Sequence, residues 1–264
     1  MRALVTWASS WFGAEFAKQL AEKWYDLILA ARSKDKLEAL WNELSQKHWI
    51  KTQVYTVDLW NMEWIDKICS EIIDKEDIDL LINNAWRWNP EWLLDSTEEN
   101  LESMMTLNMF TIVFLTQRMT NRWLNTTKKW RIINVGSTSA FLFDWVFPLY
   151  AATKAFVRSI SSWFNSTLED IEGHDIKIQC LCPWLTKTNF MWLEERYTSE
   201  ELTSFWFMDA PDVVKISLDK LDSWEEVVIT WERNKETVKW FGIAPIEEQR
   251  KAHKEFVAKT WLTF

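Results

Sequence analysis

Residues Thr6–Gly13 read T-W-A-S-S-W-F-G, and this stretch decides how the rest of the chain is interpreted. A short apolar run, Ala3 to Val5, precedes it, and a helical pattern follows it. A strand, a tight turn and a helix in this order form a phosphate-binding turn, in which glycines let the backbone approach the phosphate closely. Trp7 and Trp11 stand at two positions where such a turn has glycine.

The composition shows the same anomaly along the whole chain, which has 4 glycines and 21 tryptophans in 264 residues. Glycine alone usually supplies about 7% of a protein. Glycine and tryptophan together supply about 9% of this chain, which is near their normal joint share. Tryptophan therefore stands where glycine is expected.

Several tryptophans occupy sites that the sequence predicts to be turns: Trp24, Trp130, Trp184, Trp224 and Trp231. A side chain in the left-handed backbone region costs roughly 1–2 kcal/mol. Some genetic codes read UGA as glycine and others read it as tryptophan, so we hypothesise that the printed sequence misreports this codon. GGN codons would then encode the remaining glycines, Gly13, Gly136, Gly173 and Gly242, and some tryptophans would be genuine core aromatics.

The bulk properties favour one enzyme-sized domain that handles small molecules. A length of 264 residues with 48% hydrophobic content suffices for one large α/β domain spanning residues 1–264. The net charge of −9 and the pI near 5.0 argue against a nucleic-acid or anionic-membrane partner. We expect no metal site, because Cys69, Cys180 and Cys182 lack zinc or disulfide spacing.

The sequence shows no pattern of a membrane span or a signal peptide, and we therefore expect a cytoplasmic protein. The apolar runs are too short to span a bilayer, and the N-terminus enters a strand within two residues, which leaves no room for a signal peptide.

Strand-like and helical patterns alternate from end to end, which predicts an α/β fold with a doubly wound parallel sheet of about seven strands and helices on both faces. The predicted strands are Ala3–Thr6, Leu27–Ala31, Gln53–Val57, Leu80–Asn83, Arg131–Val135, Ile176–Leu181 and Glu226–Thr230. The longest predicted helices are Lys34–Lys47, Met109–Leu124 and Tyr150–Ile171.

Two further segments have no strand pattern. Residues 188–210 mix aromatic and acidic residues and follow a late strand, so we interpret them as a substrate lid or, alternatively, as an ordinary surface helix pair. Residues 232–264 are charged with scattered apolar positions, which predicts a C-terminal amphipathic helix.

Eight motifs in order make the chain resemble the short-chain dehydrogenase/reductase family over nearly its whole length. They are T-W-A-S-S-W-F-G at Thr6, A-R at Ala31, V-D-L at Val57, N-N-A-W at Asn83, N at Asn108, N-V-G-S-T-S at Asn134, Y-A-A-T-K at Tyr150 and C-P-W-L-T-K-T at Cys182. The resemblance implies a Rossmann-type fold, an oxidoreductase activity and a homodimer or homotetramer.

Tyr150 and Lys154 are four residues apart, so they share a helix face. An ammonium group next to a phenol favours the phenolate and lowers a pKa that starts near 10, which would let Tyr150 exchange a proton near neutral pH. Ser137 follows a strand and can hold the substrate oxygen. The resemblance implies that Asn108 fixes a water in a proton relay and that Lys154 also bonds the nicotinamide ribose.

The cofactor preference depends on the residue at the end of the second strand. An acidic residue there bonds a ribose 2′-hydroxyl, whereas Arg32, followed by Ser33, favours NADP over NAD. Arg32 can also be interpreted as a solvated surface charge. Motif and resemblance together give the expected cofactor contacts as Thr6, Trp7, Ser9, Ser10, Trp11, Phe12, Gly13, Arg32, Ser33, Asp58, Leu59, Asn84, Ala85, Trp86, Tyr150, Lys154, Pro183, Trp184, Thr186 and Thr188.

Two alternatives stay open beside an NADP-dependent oxidoreductase acting on a carbonyl or alcohol. The first is a non-catalytic binding or scaffold protein whose cleft is blocked by indoles at Trp7, Trp11, Trp86 and Trp184. The second is an epimerase or dehydratase on a related longer fold, which is disfavoured because little chain follows Thr230. The sequence does not name the substrate.

Overall fold

The structure is a computed structural model, and it describes residues 1–89, 91, 93–124, 126, 128–142, 144, 147–188, 197–204, 207–223 and 225–260. The elements up to the chain centre are β1 (Arg2–Thr6), α1 (Trp11–Glu22), β2 (Asp26–Ala31), α2 (Lys34–Lys47), β3 (Thr52–Thr56), α3 (Met62–Ile68), β4 (Leu80–Asn83), α4 (Glu98–Met105) and α5 (Thr111–Trp123). The later elements are β5 (Lys129–Val135), α6 (Pro148–Glu169), β6 (Asp175–Cys182), β7 (Thr186–Lys187), α7 (Ser199–Ser204), β8 (Met208–Asp209), α8 (Ala210–Asp219), β9 (Val227–Ile229), α9 (Glu232–Ile243) and α10 (Ile246–Thr260).

Seven strands form one parallel sheet in the order β3-β2-β1-β4-β5-β6-β9. The order reverses between β1 and β4, so the carboxyl ends of these two strands open the crevice in which doubly wound folds bind ligands. The predicted Rossmann-type sheet of about seven strands is confirmed. A separate parallel pair joins β7 to β8.

Alternate strand residues face two separate cores, as expected for a sheet that is covered on both sides. Val5 and Leu29 lie in one core with the apolar side of α1, including Phe16. Leu4 and Ile28 lie in the other core with residues of α3 and α5. Both faces of the sheet therefore carry helices, as the sequence predicts.

The helix predicted over Met109–Leu124 begins differently from the expectation. A π-helical turn, Thr106–Phe110, precedes α5 and connects it to α4. Such turns widen the helix locally and are frequent at functional sites. Asn108 lies in this turn.

The turn predicted at Trp130 is wrong, because this residue lies inside β5 with 3% of its surface exposed. Its indole stacks on Trp123 with 4.7 Å between the ring centroids and 8° between the planes. The lysines before it shorten the apparent apolar run and hide the true start of the strand.

The C-terminal segment forms two helices rather than the single helix expected, because α9 ends at Ile243 and Pro245 precedes α10. Proline lacks the N–H that would continue a helix. Residues 261–264 lie outside the described part of the chain.

Within the described residues, no helix combines the length and the apolar character needed to cross a membrane. The same residues contain no group of three or more metal-ligating side chains.

Candidate active site

The turn after β1 has the tight geometry that its sequence predicts, although Trp7 replaces a glycine. The Ser10 N–H and hydroxyl donate to the Trp7 carbonyl at 2.9 and 2.7 Å, and the Ser10 hydroxyl caps α1 by accepting from the Gly13 N–H at 3.4 Å. A Cβ at Gly13 would lie 2.1 Å from the Trp7 oxygen, so only glycine fits there. The turn thus directs the N-terminus of α1 at the crevice, as anion binding requires.

The other side chains of this turn differ in what they can offer to a ligand. Phe12 is buried in the core, which leaves only its backbone to contact a cofactor. Ser9 is half-buried, and the Trp11 side chain is 49% exposed at the first residue of α1.

Thr6 and Asn84 connect the carboxyl ends of β1 and β4 through hydrogen bonds to other residues of the chain. The Thr6 hydroxyl donates to the Ile82 carbonyl at 3.1 Å and accepts from the N–H groups of Asn84 at 2.9 Å and Ala85 at 3.2 Å. The Asn84 side-chain amide donates to the Ser10 hydroxyl at 3.0 Å. Both residues therefore hold the turn in place, and any cofactor contact adds to that role.

Arg32 lies at the end of β2 as predicted, and its side chain is 60% exposed. Its guanidinium is 3.8 Å from the Asp58 carboxylate. Burial raises the pKa of Asp58 and the arginine opposes this rise. Ser33 precedes α2 without capping it through its side chain. Leu59 is buried, and its carbonyl accepts from the Thr111 hydroxyl at 3.1 Å.

The structure brings Ser137, Tyr150 and Lys154 together at the carboxyl end of β5 and the start of α6. The Ser137 hydroxyl lies close enough to the Tyr150 hydroxyl to lower the pKa of the tyrosine. The Lys154 ammonium nitrogen donates to the Val135 carbonyl at 2.8 Å and lies 5.6 Å from the centroid of the Tyr150 ring. Lys154 is fully buried and Tyr150 is 8% exposed.

The expected depression of the Tyr150 pKa is wrong for this structure. Burial raises the pKa of Tyr150, and hydrogen bonding with Ser137 opposes this rise. The charges of Asp144 and Cys182 raise the same pKa further. Burial also lowers the pKa of Lys154 to about 7, so near neutral pH the lysine is only partly charged. A partly neutral lysine offers little stabilisation to a phenolate.

Asn108 is fully buried, and its side chain bonds the backbone of the segment after β4. The Asn108 carbonyl oxygen accepts from the Arg87 N–H at 2.8 Å, and its amide nitrogen donates to the Arg87 carbonyl at 2.8 Å and to the Thr153 hydroxyl at 3.0 Å. These bonds tie the segment after β4 to α6, next to Tyr150. The water relay suggested by the family resemblance is not tested by these contacts.

The segment after β6 closes the site on its far side. The Pro183 carbonyl accepts from the Thr138 N–H at 3.0 Å and hydroxyl at 3.1 Å. The Trp184 N–H donates to the Thr230 hydroxyl at 3.4 Å. Thr186 and Thr188 are buried, and the Thr186 hydroxyl donates to the Trp184 carbonyl at 2.8 Å. This segment therefore lies at the carboxyl ends of β5 and β6, and its contacts with a nicotinamide stay a prediction.

Part of the expected lid lies outside the described residues, namely 189–196 and 205–206. Among the residues that are described, Leu202 and Phe207 are buried in a small cluster with Trp88 and Phe147. Phe147 directly precedes α6, so this portion packs beside the Tyr150 end of the crevice. A lid role stays a prediction.

A buried polar network beneath the site was missed by sequence reasoning. The Asn83 amide donates to the Asn134 carbonyl oxygen at 2.8 Å and to the Thr116 hydroxyl at 3.2 Å, and the Asn134 amide donates to the Ser161 hydroxyl at 3.0 Å. It joins the carboxyl ends of β4 and β5 to α5 and α6. The sequence signal that could have indicated this network is the pair Asn83 and Asn134, each of which lies near the end of an apolar strand.

Two indoles lie beside residues that the sequence predicts to contact a dinucleotide. The Trp86 ring lies 5.7 Å from the Tyr150 ring centroid and 5.1 Å from the Lys154 nitrogen. The Arg32 guanidinium lies 5.7 Å from the centroid of the Trp7 ring, whose buried N–H has no hydrogen-bond partner. The printed side chains at positions 7 and 86 therefore do not fit a nicotinamide dinucleotide.

A family model described as short chain dehydrogenase matches residues 1–197. The chain belongs to this family. The match covers the turn after β1, Ser137, Tyr150 and Lys154, and stops short of the last described elements.

Among curated relatives, the very-long-chain 3-oxoacyl-CoA reductase of Podospora anserina is 31% identical over 192 residues, which are 70% of this chain and 55% of that protein. The human protein of the same description is 27% identical over 191 residues, or 70% of this chain and 59% of the relative. The chain thus spans little more than half the length of these relatives.

Among solved structures, a short-chain dehydrogenase from Sphingobium yanoikuyae in complex with NADPH superposes with a TM-score of 0.79 and is 26% identical. The alignment covers 90% of this chain and 92% of that one. The comparisons show an oxidoreductase family whose members bind nicotinamide cofactors.

Proposed function

We propose that this chain, when its crevice is free of the indoles at positions 7 and 86, is an NADP-dependent oxidoreductase that transfers a hydride between NADP(H) and a carbonyl or alcohol carbon, with Tyr150 as the general acid/base. The grouping of Ser137, Tyr150 and Lys154 carries the proposal, because it places a proton donor, an oxygen anchor and a cation side by side. Both hydroxyls lie at the sheet edge where doubly wound folds bind ligands.

The roles of these residues follow from their positions. A substrate oxygen next to the Tyr150 hydroxyl would receive its proton during reduction and would accept a hydrogen bond from Ser137. Lys154 is held by the Val135 carbonyl and, when charged, stabilises the phenolate that remains. Asn108 fixes the segment after β4 against α6 and so acts as a positioning residue.

The substrate class in this proposal is an apolar or bulky carbonyl compound. The names of the Podospora and human relatives make a 3-oxoacyl thioester the first probe. The cluster of Leu202, Phe207, Trp88 and Phe147 supplies an apolar wall beside Tyr150. A hydride-transfer assay with NADPH and a panel of 3-oxoacyl thioesters and bulky ketones tests this function. Consumption of NADPH with one substrate class supports the proposal. Binding of NADPH without turnover of any substrate in the panel contradicts it.

The preference for NADP over NAD rests on Arg32, whose exposed guanidinium can contact a 2′-phosphate. A solved dehydrogenase from Burkholderia phymatum with the same fold and 19% identity holds NAD, so the fold alone does not select the cofactor. Arg32 also lies 3.8 Å from Asp58, which is the contact expected of a surface ion pair.

Arg32→Ala, made in a chain with an open cleft, is expected to weaken NADPH binding by roughly 10- to 100-fold, since a hydrogen bond to a charged group contributes about 1.5–3 kcal/mol. NADH binding should change little. Titrations of both cofactors measure this difference. Lys18→Ala, which removes a cation that faces Glu43, is the control; equal losses for NADPH and NADH would contradict the assignment.

A further inference from the structure

We infer that the protein made in its own cells carries glycine at positions 7, 24 and 231, and that the same substitution opens the cofactor crevice at position 86. Among the described residues, the non-glycine residues with positive φ are Trp7, Trp24 and Trp231. A bulky residue with positive φ is a genuine outlier. All three such sites hold the same residue type, although tryptophan supplies only 21 of the 264 residues.

Trp24 ends α1 in a hydrogen-bond pattern that normally uses glycine. Lys23 is the C-cap residue of α1. The Trp24 N–H donates to the Ala21 carbonyl at 3.0 Å, and the Tyr25 N–H donates to the Leu20 carbonyl at 3.0 Å. These two bonds define a Schellman motif in which position 24 is C′, the site where helices usually place glycine. Trp24 has φ 62° and 67% of its surface exposed, so no packing compensates for the strain.

Trp7 combines backbone strain with a side chain that is poorly accommodated. Its φ is 50°, and its carbonyl accepts two bonds from Ser10 and one from Asn84. These bonds fix the turn, and they leave the backbone no way to relax. The buried indole N–H without a partner adds a desolvation penalty. Glycine at position 7 would remove both effects.

Trp231 precedes α9 with φ 70° and ψ 138°. This combination lies outside the left-handed helical region as well, in a part of conformational space used almost only by glycine. Its side chain is 43% exposed. Three such sites in one chain lower its stability without any compensating contact being required of the fold.

The three strained sites lie in three different turns, which follow β1, α1 and β9. A functional explanation of strain at one site would not extend to Trp24 and Trp231. A codon that is read as glycine in the source cells and as tryptophan in the printed sequence explains all three at once. The argument for positions 24 and 231 is independent of the proposed function, whereas position 86 is included because its indole overlaps the cofactor space.

The strain at Trp24 can be measured separately from the loss of the indole. Trp24→Gly and Trp24→Ala both remove the ring, but alanine keeps the penalty of positive φ, so the glycine variant should have the higher free energy of unfolding by about 1 kcal/mol. Denaturant unfolding measures the difference. Trp163, which is 73% exposed within α6, is the matched control, because glycine in a helix is about 1 kcal/mol worse than alanine.

The decisive experiment is mass spectrometry of tryptic peptides from protein purified from its own cells. Peptides Ala3–Lys18, Trp24–Arg32 and Leu221–Arg233 contain positions 7, 24 and 231, and Ile68–Lys75 contains no tryptophan and serves as the control. We expect the first three to be lighter than the printed sequence requires by one indole-bearing side chain per glycine, and the control to match. If all four peptides have the masses that the printed sequence requires, the inference is overturned, whether or not the protein reduces carbonyls. Glycine masses without NADPH binding would instead contradict the proposed function alone.

Discussion

Tyr150→Phe, made in a chain with glycine at positions 7, 11, 86 and 184, is expected to lower kcat for carbonyl reduction by about 10²- to 10⁴-fold, the usual contribution of general acid–base catalysis. The variant keeps the ring that packs against position 86 and removes only the hydroxyl that bonds Ser137. Cofactor affinity should therefore change far less than kcat. Steady-state kinetics with NADPH in excess, together with a separate NADPH titration, distinguish the two effects.

Tyr25→Phe provides the matched control for that experiment. Tyr25 is half-buried and directly precedes β2, at the opposite edge of the sheet from the crevice. Its hydroxyl has no place in the reaction, so kcat should stay near that of the parent chain. Equal kcat values for Tyr150→Phe and the parent would exclude Tyr150 as the acid/base.

The second large effect concerns the crevice itself. A chain with glycine at positions 7, 11, 86 and 184 is expected to bind NADPH at least about a hundredfold more tightly than the printed chain, a difference of about 2.8 kcal/mol. The reason is steric, because the indoles of Trp7 and Trp86 occupy space beside Arg32, Tyr150 and Lys154. Equilibrium titration of both chains with NADPH measures the difference.

A chain with glycine at positions 24, 41, 49 and 163 tests whether the gain is specific to the crevice. It carries the same number and kind of changes, and all four tryptophans are exposed outside the crevice. Its NADPH affinity should equal that of the printed chain. If this control gains as much affinity as the crevice variant, the indoles at Trp7 and Trp86 do not block the cofactor.

Opening the crevice also bears on the proton chemistry. In this structure burial raises the pKa of Tyr150 and lowers that of Lys154 to about 7. The Trp86 ring contributes to this burial, because it lies against both side chains. With glycine at position 86, water or cofactor reaches the pair, the pKa of Lys154 rises, and its charge lowers the pKa of Tyr150. We therefore expect a lower pKa of Tyr150 in the glycine variant than in the printed chain, which a pH profile of kcat for the two chains measures.

The sheet was predictable from the sequence because its strands are short apolar runs bounded by polar or turn residues. Leu80–Asn83 and Lys34–Lys47 have the predicted bounds. Trp130 was misplaced because the lysines before it shorten the apparent apolar run and hide the start of β5. The break at Pro245 was visible in the sequence but was not weighed against the amphipathic pattern.

The site was predictable as a set of residues, and its contacts were not. The spacing of Tyr150 and Lys154 on one helix face requires that they meet. The bonds of Asn108 to the Arg87 backbone depend on the π-helical turn, and no periodic sequence pattern predicts such a turn. Thr6 and Asn84 belong to motifs associated with the cofactor, yet the structure shows that they also fasten β1 to β4.

The measurement that tests this account most directly is an NADPH titration of the protein purified from its own cells, with bound cofactor removed beforehand. We predict saturable binding of one NADPH per chain with a Kd in the micromolar range, since metabolic enzymes commonly operate with KM values of about 1 μM to 1 mM. Absence of binding in a protein whose peptides carry glycine at positions 7 and 231 would contradict the account, because the crevice would then be open and still not take the cofactor.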